Sequence, residues 1–181
     1  MSFLYRIDPY PGMKEVYIVR HGKSDWNDLD LNDIDRPLKK RGAKNSHELG
    51  QHLRKLNWTP DIILSSPAVR AYDTAKILAD ELNITGARFK VIAKLYLPDF
   101  PTLLKEILYL NDDLDSVMII GHEPSLSNLI NHFLHEPLDQ VVTASLTLLK
   151  FDTDKWRDLT PETFIEGVHK NRHNMKGQEL H

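Results

Sequence analysis

Apolar residues recur along this chain in two ways: short unbroken runs, and longer stretches with helical spacing, the two in alternation. Val16, Tyr17, Ile18 and Val19 form a β-branched and aromatic run with no helical period, the pattern of a strand covered on both faces. Leu49, Leu53 and Leu56 then fall at i, i+4 and i+7, which predicts a helix over about 38–56. A second strand is predicted at 61–64, ending in Ser65-Ser66-Pro67, where Ser66 as N-cap and Pro67 as first helical residue would open a helix with Ala71, Ala75, Leu78 and Leu82 on one stripe.

The alternation continues. Residues 89–92 read as a strand, followed by a helix with Leu104, Ile107 and Leu108 inward. Residues 117–120 read as a strand that stops at Gly121-His122, and Pro124 opens a helix whose Leu126, Leu129, Ile130, Phe133 and Leu134 match i, i+3, i+4, i+7 and i+8. A further strand at 146–151 is expected at the sheet edge. Beyond 152 the pattern weakens into a polar tail with no clear core contribution. Residues 1–13 hold two prolines and a glycine and predict an arm that packs on the domain or on a partner subunit. The polar, aperiodic segment 23–37 predicts a long loop over a pocket.

Regular alternation of strands and helices predicts an α/β fold: three layers, with helices on both faces of a mostly parallel central sheet. At 181 residues the chain suits a single core. It divides into an arm at 1–13, a domain at 14–151 and an extension of that domain at 152–181, partly tail.

Composition narrows the chemistry. A net charge of −3 gives no global attraction to nucleic acid or acidic membranes, so an anionic ligand must be drawn by a local arginine cluster. There are no cysteines, which removes disulfides, thiolate metal sites and cysteine nucleophiles. The N-terminal stretch lacks a long apolar core and reads as neither a secretory signal nor a membrane span. Cytoplasmic residence is the simplest expectation, and the sequence leaves the oligomeric state open.

The first strand ends in Arg20-His21-Gly22. In open α/β sheets ligands bind beyond the carboxyl ends of the strands, and glycine lets backbone approach them closely. On its own the tripeptide also suits a hydrogen-bonded structural pair. Two further strand ends, however, supply Arg70 and His122, and parallel strands bring such ends to one side. Two arginines offering paired donors and two imidazoles suit a phosphoryl group.

Three segments carry a resemblance: Arg20-His21-Gly22; Ser65-Ser66-Pro67-Ala68-Val69-Arg70-Ala71 with Thr74-Ala75; and Gly121-His122-Glu123-Pro124. In order and content they resemble the motifs of the histidine phosphatase superfamily, with its phosphoglycerate mutase-like fold. Asp35-Arg36-Pro37-Leu38 followed by Arg41-Gly42, and the compact size, resemble its SixA-type phosphohistidine phosphatase branch. The resemblance implies that His21 attacks phosphorus and becomes phosphohistidine, with Arg20, Arg70 and His122 about the phosphoryl group and no metal or other cofactor. An imidazole with an ordinary pKa of about 6.5, depressed further by neighbouring arginines, has the neutral ring such attack needs. Arg36 is a third clamp or else an ion-pair partner of the acidic loop. Ser24 and Asn27 are further candidates to bind phosphate, or loop caps.

Substrate is where the sequence departs from the family. Many members carry a glutamate general acid after the third strand, where this chain has Lys94-Leu95-Tyr96-Leu97-Pro98-Asp99. Asp99 is the carboxyl available there, with Asp25 and Asp35 in the loop as alternatives. An alkyl ester needs a proton donor for its leaving group, whereas a phosphorylated imidazole can leave neutral once its other nitrogen holds a proton. The expected substrate is therefore phosphohistidine on a protein, with a broad phosphomonoesterase of metabolites or phosphoproteins as the alternative and a non-catalytic phospho-segment binder as a third reading. Two rival motifs are on record: Asp152-x-Asp154 after a strand superficially matches aspartate-nucleophile phosphatases, and the pairs His132/His135 and His169/His173 have helical metal-ligand spacing.

Overall fold

In the computed structural model, which describes residues 12–28, 30–171 and 174–181, the apolar runs become one seven-stranded sheet in the order β3-β2-β4-β1-β5-β6-β7. The expected arm at 1–13 falls almost wholly outside the described residues. Strands β1 (Met13–Arg20), β2 (Ile62–Ser65), β3 (Phe89–Val91) and β4 (Ser116–Gly121) are mutually parallel. They alternate with α1 (Lys40–Lys55), α2 (Val69–Leu82), α3 (Phe100–Leu108) and α4 (Ser125–Phe133).

Side-chain alternation along the strands sorts the core into two faces. Val16, Ile18, Ile62, Leu64, Val117 and Ile119 pack with Leu103 and Ile107 of α3 and Leu126, Leu129 and Ile130 of α4. Tyr17, Val19, Ile63, Met118 and Ile120 pack with Leu49 and Leu53 of α1 and Ala71, Ala75 and Leu78 of α2. One strand period therefore feeds two helical layers, the three-layer α/β arrangement expected.

The C-terminal region departs from expectation. Residues 146–151 do not form an edge: β5 (Leu146–Asp152) lies antiparallel between β1 and β6 (Phe164–Asn171). The supposed tail continues the sheet through β6 and β7 (Asn174–Leu180), and Trp156, Leu159 and Leu180 join the core. β6 hides this in sequence because it exposes Ile165 while burying His169 and Lys170, the reverse of the usual pattern.

Helix α2 starts at Val69 after an extended Ala68, not at Pro67. The Ser66 hydroxyl still accepts from the Ala68 N–H at 3.3 Å, but the residue is fully buried and turned to another use, below. Among the described residues no helix is long and apolar enough to cross a membrane.

Candidate active site

Every parallel strand delivers its carboxyl end to one side of the sheet, and an antiparallel β5 delivers its beginning there. Residues 141–145 therefore wrap the end of β1: Arg20 N–H donates to the Ser145 carbonyl (3.3 Å) and Ala144 N–H to that of Arg20 (3.0 Å). Arg20, His21, Arg70 and His122 line a cavity of about 160 Å³ at this edge. Lys23, Ser24 and Trp26 line it from the loop, and Leu97, Glu123 and Thr143 complete it.

Two glycines fit the chain into this corner. A Cβ on Gly22 would stand 2.8 Å from the Gly42 carbonyl oxygen, and one on Gly42 would stand 2.3 Å from that of Lys23. The turn after β1 thus crosses the first turn of α1 at backbone contact. Gly22 N–H donates to Thr74 Oγ1 at 2.9 Å, and that hydroxyl donates to the Arg70 carbonyl at 2.7 Å. This chain ties the turn to α2 close to its arginine.

His21 is held as one tautomer. Its Nδ1 lies 2.7 Å from the Gly22 carbonyl, which can only accept, so the proton is on Nδ1. Nε2 then carries the lone pair, and Arg70 Nε–H donates to it at 3.3 Å. Burial first, and the Arg70 and Arg20 charges after it, lower the His21 pKa to about 4, against the Gly22 hydrogen bond that raises it. The like-charge effect expected from the arginines is present but second to desolvation. The ring is neutral at pH 7, with its nucleophilic nitrogen beside a guanidinium.

The Arg70 guanidinium uses two edges. The Nε/Nη2 edge faces the histidines, with His122 Nδ1 accepting from Nη2 at 3.4 Å. The Nη1/Nη2 edge is held by Asp33, whose backbone carbonyl accepts from Nη1 and whose Oδ2 accepts from Nη2 at 2.8 Å. Tyr96 donates its hydroxyl to the same Oδ2 at 3.0 Å and stands edge-on to the His122 ring at 5.9 Å. Burial works to raise the Asp33 pKa, but the Arg70 and Tyr96 hydrogen bonds and the Arg70 charge outweigh it and hold it below the usual carboxylate range.

His122 complements His21. Because arginine can only donate, Nδ1 is its acceptor nitrogen and Nε2–H donates to Ser66 Oγ at 2.8 Å. Burial, then the His21 and Arg70 charges, take its pKa to about 3. The two rings lie 5.1 Å apart. Arg20 donates from Nη1 to the Val141 carbonyl at 2.7 Å, while its buried Nε has no hydrogen-bond partner among the described residues. Burial lowers its pKa and the Glu123 charge opposes this.

Other expected positions fall outside the cavity. Arg36 stacks on the Trp26 ring at 3.9 Å and lies 3.8 Å from Asp33 Oδ1, so the ion-pair alternative describes its place better than a clamp. Asn27 is exposed, its backbone N–H donating to Asp25. Asp99 caps α3, accepting from Thr102 N–H at 2.9 Å, and the Thr102 hydrogen bonds lower its pKa. That is the wrong direction for an acid. Asp25 pairs with Lys39 at 3.4 Å, and Asp35 accepts from Asn32. Ser24 does line the cavity, buried and bridged to Leu38. The rival motifs lie elsewhere. Asp152 pairs with Met13 at the opposite end of β1. His132 packs on Phe100 and Phe133. His169 is buried against Thr147, and His173 lies outside the described residues. Among the described residues no three histidine or carboxylate side chains gather as a metal-holding group.

Sequence reasoning missed Asp33, Tyr96 and Glu123. Glu123 was legible, since it stands inside the Gly121-His122-Glu123-Pro124 motif at a strand end. Asp33 was one aspartate among several in its loop.

Comparison with known proteins points to one superfamily. A model of the histidine phosphatase superfamily (branch 1) matches residues 16–93. The chloroplastic protein At3g52155 of Arabidopsis thaliana is 31% identical over 121 residues, 60% of this chain and 54% of the relative. The phosphatase PhoE of Bacillus subtilis is 36% identical over 74 residues, 40% of this chain and 37% of the relative. The chain thus matches only about half or less of these relatives' lengths. Among solved structures, a candidate phosphohistidine phosphatase SixA from Agrobacterium tumefaciens superposes with a TM-score of 0.70 at 26% identity, over 78% of this chain and 92% of that one.

Proposed function

We propose that this chain, which belongs to the histidine phosphatase superfamily, is a phosphatase that carries the phosphoryl group on His21 and removes phosphate from phosphohistidine on a protein, without a metal. The observation that carries this reading is the His21 ring, neutral at pH 7, with its proton fixed on Nδ1 by Gly22 and its Nε2 lone pair beside Arg70.

A phosphoryl group entering between the two histidines meets the Nε/Nη2 edge of Arg70, whose other edge stays with Asp33, and the Arg20 guanidinium. Both cations stabilise charge on the equatorial oxygens of a loose transition state. Nε2 of His21 attacks phosphorus as the bond to the leaving group breaks. The new phosphohistidine keeps its Nδ1 proton on Gly22, so it is itself a good leaving group when water attacks. Water adds to phosphorus, the P–N bond breaks, and dihydrogen phosphate departs from neutral His21.

Likeness to the Agrobacterium SixA candidate and the displacement of Asp99 from the cavity support the phosphohistidine substrate. A second reading, a broad phosphomonoesterase, is favoured by Glu123, a cavity carboxyl able to protonate an alkoxide. Turnover of a phosphohistidine peptide and a phosphoserine peptide, in EDTA, for wild type and His21→Ala, separates them. Faster cleavage of the phosphohistidine peptide, independent of metal and lost with His21, supports the first. Preference for phosphoserine favours the second, and activity that survives His21→Ala excludes the mechanism.

A further inference from the structure

Glu123 presents a physical problem. It lines the cavity with Arg20, Arg70 and Lys23, and a carboxylate in a phosphate pocket repels the ligand the arginines attract. One oxygen, Oε2, accepts from the Ser127 hydroxyl. The other, Oε1, is buried and accepts no hydrogen bond among the described residues. Nearby stand the Arg20 guanidinium and the start of α4. Oε1 is an acceptor that lacks a donor, and a buried acceptor without one is costly.

The mouth of the cavity adds a second feature. Trp26 and Leu97 line it yet remain 58% and 51% exposed. Leu97 is held at φ 45, a left-handed conformation that leucine rarely adopts. Two large apolar side chains at the rim of a phosphate site, Trp26 already stacked with Arg36, offer apolar contact to a leaving group rather than to phosphate.

We propose that Glu123, Trp26 and Leu97 form a leaving-group subsite for a ring that bears an N–H, the imidazole of a phosphohistidine. This rests on the phosphohistidine reading above and deepens it. The substrate ring, protonated on the nitrogen remote from phosphorus, donates that N–H to the Glu123 carboxylate and lies against the two apolar side chains. His21 Nε2 attacks phosphorus, the substrate P–N bond breaks, and its electron pair stays on the ring nitrogen. The ring leaves as neutral imidazole, still holding the remote proton. Glu123 neither gains nor loses a proton, so it acts as a specificity-determining acceptor.

The test compares phosphoimidazole with p-nitrophenyl phosphate, whose phenolate needs no N–H acceptor, for wild type and Glu123→Gln. The substitution is expected to lower kcat/KM for phosphoimidazole by about tenfold more than that for p-nitrophenyl phosphate. Retained p-nitrophenyl phosphate turnover itself shows that the variant folds. Wild type supplies a second measurement independent of any variant: 1-methyl-3-phosphoimidazole, whose ring is cationic but lacks the N–H, should turn over about tenfold more slowly than phosphoimidazole. Equal losses on both substrates in Glu123→Gln, or indifference to the methyl group, overturn the subsite alone. A wild type that cleaves neither phosphoimidazole nor p-nitrophenyl phosphate overturns the phosphatase reading, and the subsite with it.

Discussion

At the scale of the residue, the division of the Arg70 guanidinium into two edges is the most informative detail. Asp33 holds the Nη1/Nη2 edge through its backbone carbonyl and carboxylate, and Tyr96 steadies that carboxylate. The remaining edge is thereby aimed between His21 and His122. Lysine has one ammonium and no second edge, so it cannot reproduce this. Asp33→Asn keeps the backbone acceptor but removes the charge. It is expected to lower kcat by roughly 10-fold to 100-fold, the cost of a loosened reacting geometry, with a smaller change in KM. Steady-state kinetics on p-nitrophenyl phosphate check this, and an unchanged kcat would remove Asp33 from the positioning of Arg70.

At the scale of the element, the corner where the turn after β1 crosses α1 depends on two glycines in backbone contact. Gly42→Ala would place its methyl against the Lys23 carbonyl, where neither side is a flexible side chain. Destabilisation of about 2 kcal/mol is expected, together with displacement of Lys23 and Ser24 and loss of activity; thermal melting and a kinetic assay read both. The strand ends were legible from sequence because an apolar run that stops at a charged or imidazole residue announces itself: Arg20, His21 and His122 were found this way, and Arg70 through the Ser66-Pro67 helix start that put it in the first turn after the second strand. Asp33 and Tyr96 were not, since each reaches Arg70 or His122 only through the tertiary fold. Ser66 was read as a helix cap because Ser-Pro before an apolar stripe has that local meaning, yet His122 claims its hydroxyl. β6 and β7 escaped because they join the sheet through pairing, β6 on β5 and β7 on β6, and not through a clear apolar alternation of their own.

At the scale of the whole molecule, two buried neutral histidines make stability depend on pH. In the unfolded chain they titrate near the ordinary value of about 6.5, whereas folded His21 and His122 titrate at about 4 and about 3. Between these limits the unfolded state binds protons the native state refuses, so stability rises with pH. It is complete above about 6.5 and lost as pH falls towards 4, by up to roughly 3 kcal/mol for His21. Melting temperatures in phosphate-free buffer should fall steadily from pH 7 to 4.5, and less steeply in His122→Asn. By the same values kcat/KM should show no acidic limb near pH 6.5 from the free enzyme's His21. A limb there would mean the ring is charged when substrate arrives.

The position of β1 has a last consequence. It is the middle strand of seven, bonded to β4 on one side and β5 on the other, whereas the described residues of 23–37 lie outside the sheet ladder, tied by the Ser24–Leu38 bridge, the Asp25 N–H to the Pro37 carbonyl, and the Asp33 contacts with Arg70 and Tyr96. In deuterium, the amides of Val16 to Val19 should exchange only when the whole sheet opens, while the amides of the described loop residues, such as Asn27, should exchange sooner. The nucleophile is therefore mounted on the slowest-exchanging part of the molecule. Asp33, which steadies its arginine, stands outside the sheet ladder, and its amide should exchange faster than those of β1.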